Sequence, residues 1–199
     1  LGYLPEALLN FLVRLGWSHG DQEIFSMEEM LELFDPTNLN KSASSFNAEK
    51  LLWLNSEYIK AVSNDRLIEE LKFFDIDLSH HPKRTELLDL SKQRAQTLVE
   101  MKKSITDILD VPSFYEESGV KKFVKEDTKA FLEKYINLLE KNKDDLYDVT
   151  KVEDITKPFI AENGLKFPQL FQPIRIALTG GTQAPSVYDI IAILGFNEV

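Results

Sequence analysis

From Pro5 to Leu194 the apolar residues of this chain recur at intervals of three and four, and no apolar–polar alternation runs longer than four residues. That period is the turn of an α-helix, not the two-residue repeat of a strand. Leu67, Ile68, Leu71 and Phe74 share one face by this spacing. So do Leu87, Leu90, Arg94, Thr97, Leu98 and Met101, and later Phe123, Val124, Phe131, Tyr135, Leu138 and Leu139. No fixed-period repeat is present. The pattern predicts an all-α fold.

Start and stop signals divide the pattern. Pro5 suits a first helical turn, with Gly16 as the stop. Residues 18–25 read as a loop. Ser26 and Glu29 make a capping box, and Asp35-Pro36 ends the helix they open. Asn47 and Ser63 are N-cap residues. Thr85 is expected to cap one long helix reaching about residue 109, and Val111-Pro112 to break the pattern at a subdomain boundary. A second long helix is expected from about Lys121 to Lys141. Thr150 with Glu153 forms another box, closed by Asn163-Gly164, with Pro158 in its first turns or at a kink. A helical run ends at Arg175. After the Gly180-Gly181 turn, Ser186 with Asp189 caps a last helix carrying Val187, Ile190, Ile191, Ile193 and Leu194.

With 199 residues and 43% hydrophobic content the chain can bury a core. It has no Cys, which excludes disulfides and thiolate metal sites. The three His include the adjacent pair His80-His81 before Pro82, a poor basis for a metal site. No apolar run reaches the roughly 18 residues that span a bilayer. Leu1-Gly2-Tyr3 lacks a basic leader region, so no signal peptide is expected. The first residue is not Met, which points to a fragment or processed piece of a cytoplasmic protein.

A net charge of −10 and a pI near 4.9 argue against generic nucleic-acid binding. The charge is uneven, however. Residues 1–78 carry 14 acidic and 6 basic side chains, whereas residues 79–110 carry 5 and 6, and residues 163–199 carry 2 and 2. No acidic residue occurs from Asn163 to Tyr188. Such windows are where a polyanion can approach without repulsion.

No catalytic constellation is present: the Gly-rich nucleotide fingerprints, H-E-x-x-H, G-x-S-x-G and C-x-x-C are all missing. The acid pairs Glu116-Glu117 and Asp144-Asp145 read as solvated charge rather than as acid/base pairs. Gly180-Gly181 reads as a turn requiring positive φ, or as a close approach of backbone to a ligand. Arg175 is a surface residue with a buried stem or a phosphate or base contact. Arg94, on the apolar-rich face of its expected helix, needs an acidic neighbour or an RNA contact. Trp17 and Trp53 read as core. Tyr188, just after a cap, is either core or a ring projecting from the helix end, on which a base could stack.

Four segments, in order, resemble bacterial glutamyl-tRNA synthetases. GYLPEALLNFLVRLGWSHGDQEIFS is similar to the stretch after that family's Lys-Met-Ser-Lys-Ser-type ATP loop. FNAEKLLWLN is similar to its Phe-x-x-x-Lys-Leu-x-Trp-x-Asn stretch. QRAQTLVEM is similar to its Pro-Arg-x-x-Thr-Leu helix, with Gln93 in place of Pro. FQPIRIALTGGTQAPSVYDIIAILG is similar to its closing Gln-Pro-x-Arg-x-Ala-Leu-Thr-Gly motif and following helix. The resemblance implies consecutive helical bundles: a stem-contact region over residues 1–58, a first anticodon-binding bundle over 59–118 and a second over 119–199. It implies that Arg94 reads the third anticodon base and that Arg175 is an anticodon contact. It implies that Ala184, Pro185, Val187 and Tyr188 pack against the anticodon bases. Ala184 stands where the family often has a Thr or Ser hydroxyl, and Ser186 where it often has Gly.

The resemblance therefore implies a tRNA-recognition fragment of a class I, ATP-dependent glutamate–tRNA ligase, lacking the catalytic Rossmann domain. The fragment itself would carry no catalytic residue, cofactor or metal; ATP and Mg²⁺ would belong to the parent enzyme. The implied partners are tRNA-Glu, with tRNA-Gln not distinguished from it, and the catalytic domain of the same chain. A monomer with no membrane association is expected. Two other readings are open on the residues alone: an acidic helical protein-interaction module without RNA affinity, and a stand-alone hydrolase, which the lack of a nucleophile–base pair disfavours.

Overall fold

The computed structural model describes residues 1–40 and 45–199. Among them every regular element is helical, and the extended pairing is a single bridge between His19 and Gln22. The eleven α-helices are α1 (Pro5–Gly16), α2 (Met27–Leu33), α3 (Ala48–Ala61), α4 (Asn64–Lys72), α5 (Arg84–Lys92), α6 (Leu98–Leu109), α7 (Glu117–Phe123), α8 (Thr128–Lys141), α9 (Val149–Glu162), α10 (Phe167–Thr179) and α11 (Val187–Leu194). Short 3₁₀ turns occur at Pro36–Asn38 and Lys143–Asp145. Two compact units divide the chain, residues 1–103 and 104–199, with the division falling inside α6.

Local capping explains where several helices begin. The Ser26 hydroxyl accepts from Glu29 N, and the Glu29 carboxylate accepts from Ser26 N, which completes the box at α2. Asn47 accepts from Lys50 N at α3, and Ser63 from Arg66 N at α4. Pro5 stands in the first turn of α1, where a missing N–H costs nothing.

Five expectations about the helices are corrected. The long helix from Thr85 is two helices, α5 and α6, separated by residues 93–97. Thr97 accepts from Glu100 N, and Glu100 accepts from Gln96 N, so a new N-terminal box opens α6 where the apolar spacing ran on unbroken. The helix expected from Lys121 to Lys141 is likewise split into α7 and α8, and the Thr128 hydroxyl accepts from Lys125 N at the break. At α9 the cap is Asp148, which accepts from Thr150 N and Lys151 N, so Thr150 lies inside the helix. Ser186 precedes α11 without a side-chain cap bond. The helix expected to end at Arg175 continues for another turn to Thr179.

In residues 1–103, Phe11, Leu51 and Leu54 form one apolar cluster between α1 and α3. Trp17, Phe25 and Met30 form a second. Each fully buried aliphatic side chain contributes roughly 1.5–3 kcal/mol. Trp17 is buried as expected, but Trp53 is 42% exposed and belongs to the surface. The 18–25 loop is held by Asn10, fully buried, whose side chain accepts from Phe25 N and donates to Glu23 O. The Tyr58 hydroxyl donates to Phe25 O, and burial pushes its pKa up to about 12.

In residues 104–199, Phe131, Tyr135, Leu139, Val152, Phe159, Leu170, Phe171 and Ile191 come from α8 to α11 and share one core. Tyr135 and Thr156 satisfy one another by a hydrogen bond of 2.8 Å inside it. α10 packs on α7, α8 and α11, so whatever follows its C-terminus is anchored by a buried helix.

Candidate nucleic-acid interface

The residues singled out in the sequence fall in two places. Arg94 belongs to the first unit and lies exposed in the turn between α5 and α6. It is not on the apolar face of a helix, because the helix ends at Lys92. The turn itself is rigidly held. Arg94 N and Ala95 N donate to Ser91 O, and Leu98 N donates to Gly2 O. Asn55, fully buried in α3, donates to Gln96 O at 2.5 Å and accepts from Leu4 N at 2.8 Å. Gly2 has φ +80°, and a Cβ there would lie 2.8 Å from Val99 N. The chain start, α3 and the turn are thus tied together, and the turn presents a cation outward.

Arg175, Ala184, Pro185, Val187 and Tyr188 are brought together in the second unit. Arg175 is half-buried on α10, and its Nη2 donates to Pro185 O over a long 3.4 Å. Gly180 ends α10 in the left-handed conformation, φ +76°. Of the Gly-Gly pair it is the first that the turn requires. Gln183 and Ser186 are exposed and Ala184 is half-buried. Pro185 and Val187 are buried, Val187 in the core shared by α8 to α11. Tyr188 does not project from the helix end: its ring meets Phe171 edge-on at 4.9 Å and packs on the same core. Burial raises the Tyr188 pKa, and the Glu153 carboxylate adds to that rise.

Sequence reasoning missed Glu116. It reads as solvated charge, yet its carboxylate accepts from the Ser118 hydroxyl (2.6 Å), the Thr182 hydroxyl (2.7 Å) and Thr182 N (2.9 Å). Those hydrogen bonds, the one from Ser118 foremost, hold its pKa below the ordinary carboxylate value. The stretch without acids along the chain is therefore not without acids in space. No local signal marks this contact, because Glu116 and Thr182 are 66 residues apart.

A cleft of about 230 Å³ in the second unit is lined by Leu109, Val111, Pro112, Leu178 and Leu194 among others, and it gathers no nucleophile–base pair. No cluster of metal-ligating side chains occurs among the described residues, and no helix there is long and apolar enough to cross a membrane.

A family model described as an anticodon binding domain matches residues 29–199. The chain belongs to the anticodon-binding domain family. A second model, the catalytic domain of class I tRNA synthetases (E and Q), matches residues 1–53. The chain is 80% identical over all 199 residues to glutamate–tRNA ligase 1 of Aliarcobacter butzleri (strain RM4018) and 48% identical to glutamate–tRNA ligase 1 of Campylobacter hominis; it covers 42% of each. It also matches the crystal structure of a glutamate tRNA ligase from Elizabethkingia meningosepticum, with a TM-score of 0.87 and 27% identity, over 99% of this chain and 39% of that one. The chain thus spans about two fifths of the length of these relatives. As a member of the anticodon-binding family, it has the all-α architecture that the periodicity predicts.

Proposed function

We propose that this chain is the tRNA-recognition part of a class I glutamate–tRNA ligase and reads the anticodon of tRNA-Glu. The observation that carries the reading is the anticodon-binding match over residues 29–199, together with 80% identity along the whole chain to a protein named glutamate–tRNA ligase. Residues 1–58 would contact the inner tRNA stem beside the catalytic domain, residues 59–118 would hold Arg94, and residues 119–199 would hold Arg175 and the 184–188 segment. ATP and Mg²⁺ would serve the catalytic domain of the parent enzyme. A monomer in the cytoplasm fits this role.

The geometry refines which groups would touch RNA. Arg94 is exposed, and Arg175 is half-buried beside Pro185. These two supply directional donors for base edges. Val187 and Tyr188 face the core, so they would shape the surface from beneath. The contacts from that segment would come from Gln183, Ala184 and Ser186. Recognition of unpaired bases needs few phosphate contacts, which suits a chain of net charge −10. The test is a fluorescence-anisotropy titration with tRNA-Glu. Arg94→Ala and Arg175→Ala should each weaken binding by about 1–3 kcal/mol. Wild-type affinity in both variants would refute the assignment, and tRNA-Gln run in parallel shows whether the site separates the two.

A further inference from the structure

Glu116 lies in the segment that folds over the C-terminus of α10. Its backbone N donates to Gly180 O at 2.7 Å, while its carboxylate takes both donors of Thr182. Close packing surrounds these bonds. A Cβ on Gly180 would lie 2.7 Å from Phe114 O and 3.3 Å from Pro112 Cβ. One on Gly119 would lie 2.6 Å from the Thr182 methyl. Residues 112–119 therefore grip the 180–182 turn through three hydrogen bonds and close packing at Gly180 and Gly119. The gripped turn leads directly to Gln183 and Ala184, and then to Pro185, whose carbonyl meets Arg175.

We propose that Glu116 is a positioning residue for RNA recognition: it fixes the 180–182 turn so that Gln183 to Ser186 and the Arg175 guanidinium are presented in one geometry before RNA arrives. The inference rests on the reading that this segment contacts the anticodon. An ordered loop avoids the entropy cost of being ordered on binding, so the clamp acts on affinity without touching RNA. Hydrogen bonds to an ionised carboxylate are stronger than neutral ones, which suits this group to hold the turn.

Two explanations of Glu116 differ in sign. As an unclamped negative charge near RNA, its removal would strengthen binding. As a clamp, its removal weakens binding. The experiment uses the whole chain with Glu116→Ala and the milder Thr182→Val, which keeps the Thr182 N–H. Amide hydrogen exchange over residues 181–186 is measured together with affinity for a synthetic anticodon stem-loop of tRNA-Glu. In Glu116→Ala, exchange at Thr182 should rise by about tenfold or more while the α8 and α9 core amides keep their protection. Affinity should fall by about five- to tenfold. Thr182→Val should move both readouts in the same direction by less. Unchanged exchange overturns the clamp. Faster exchange with unchanged or higher affinity overturns its role in binding. If the wild-type chain shows no affinity, the anticodon reading fails and the RNA role with it, while the exchange measurement alone still decides whether the clamp exists.

Discussion

Asn55→Ala should destabilise the first unit substantially. Asn55 has no exposed surface, and its side chain accepts from Leu4 N and donates to Gln96 O, with a longer contact to Gly2 O at 3.4 Å. Truncation leaves the buried Leu4 N–H and the part-buried Gln96 C=O without their side-chain partner, and a buried orphan costs about 1–3 kcal/mol. A water entering the vacated space would recover part of that, so the expected loss is about 2–4 kcal/mol. A chain of this size shifts by about 2–4 °C per kcal/mol, which places the melting shift on the order of 5–15 °C. Both tryptophans, Trp17 and Trp53, lie in residues 1–103, so tryptophan fluorescence follows this unit alone even if the two units unfold separately. Asn55→Asp should be worse, because a carboxylate oxygen would face Gln96 O. A loss below about 0.5 kcal/mol, the size of an ordinary surface substitution, would mean that these bonds do not hold the start of the chain to the Arg94 turn.

Gly180→Ala forces a side chain into a left-handed conformation, φ +76°, and against Phe114 O. It should cost about 2 kcal/mol or more, read by urea unfolding with near-UV circular dichroism of the second unit's tyrosines. Glu6 is held by Arg66 through two hydrogen bonds of 2.7 and 3.1 Å, and that pairing lowers its pKa below the ordinary 4.5. A lowered folded-state pKa stabilises above the unfolded value and loses that contribution as pH falls through the folded one. The first unit should therefore weaken from about pH 4.5 downward, and Glu6→Gln should flatten that decline. An identical pH profile for the variant would show the pair contributes nothing.

Features settled by neighbours three or four residues away were legible in the sequence. The Ser26–Glu29 box, the Asn47 and Ser63 caps and the Asp35-Pro36 stop all stand where local chemistry puts them. The breaks between α5 and α6 and between α7 and α8 were not read, because Leu90, Arg94, Thr97, Leu98 and Met101 keep helical spacing across the first. The signal was present: Thr97 and Glu100 stand at the same hydroxyl-x-x-Glu spacing as Ser26 and Glu29, although Glu100 accepts from Gln96 N rather than from the cap residue's own N–H. A cap that satisfies free N–H groups in mid-pattern wins locally over apolar periodicity. Trp53 shows the reverse error: an aromatic among aliphatic neighbours at helical spacing still falls on the outer face of α3.

The candidate site divides along the same physical line. Side-chain type and order marked the turn between α10 and α11, since a glycine that must adopt positive φ is written in the sequence, whereas Arg94 lies in a turn rather than on a helix face and Arg175 lies a turn before its helix ends. Orientation was not written there. Val187 and Tyr188 open α11, and because α11 packs on α9 and α10, the first turn's apolar groups go inward. Charge is the clearest case. A count along the chain finds no acid from Asn163 to Tyr188, yet the fold sets Glu116 on Thr182, and the Glu153 carboxylate adds to the rise that burial causes in the Tyr188 pKa. What a polyanion meets depends on how each charge is paired, not on its distance in sequence. The Glu116 carboxylate is engaged by three donors, and Arg94 is exposed on its turn. An acidic chain can then offer a local surface less negative than its composition indicates.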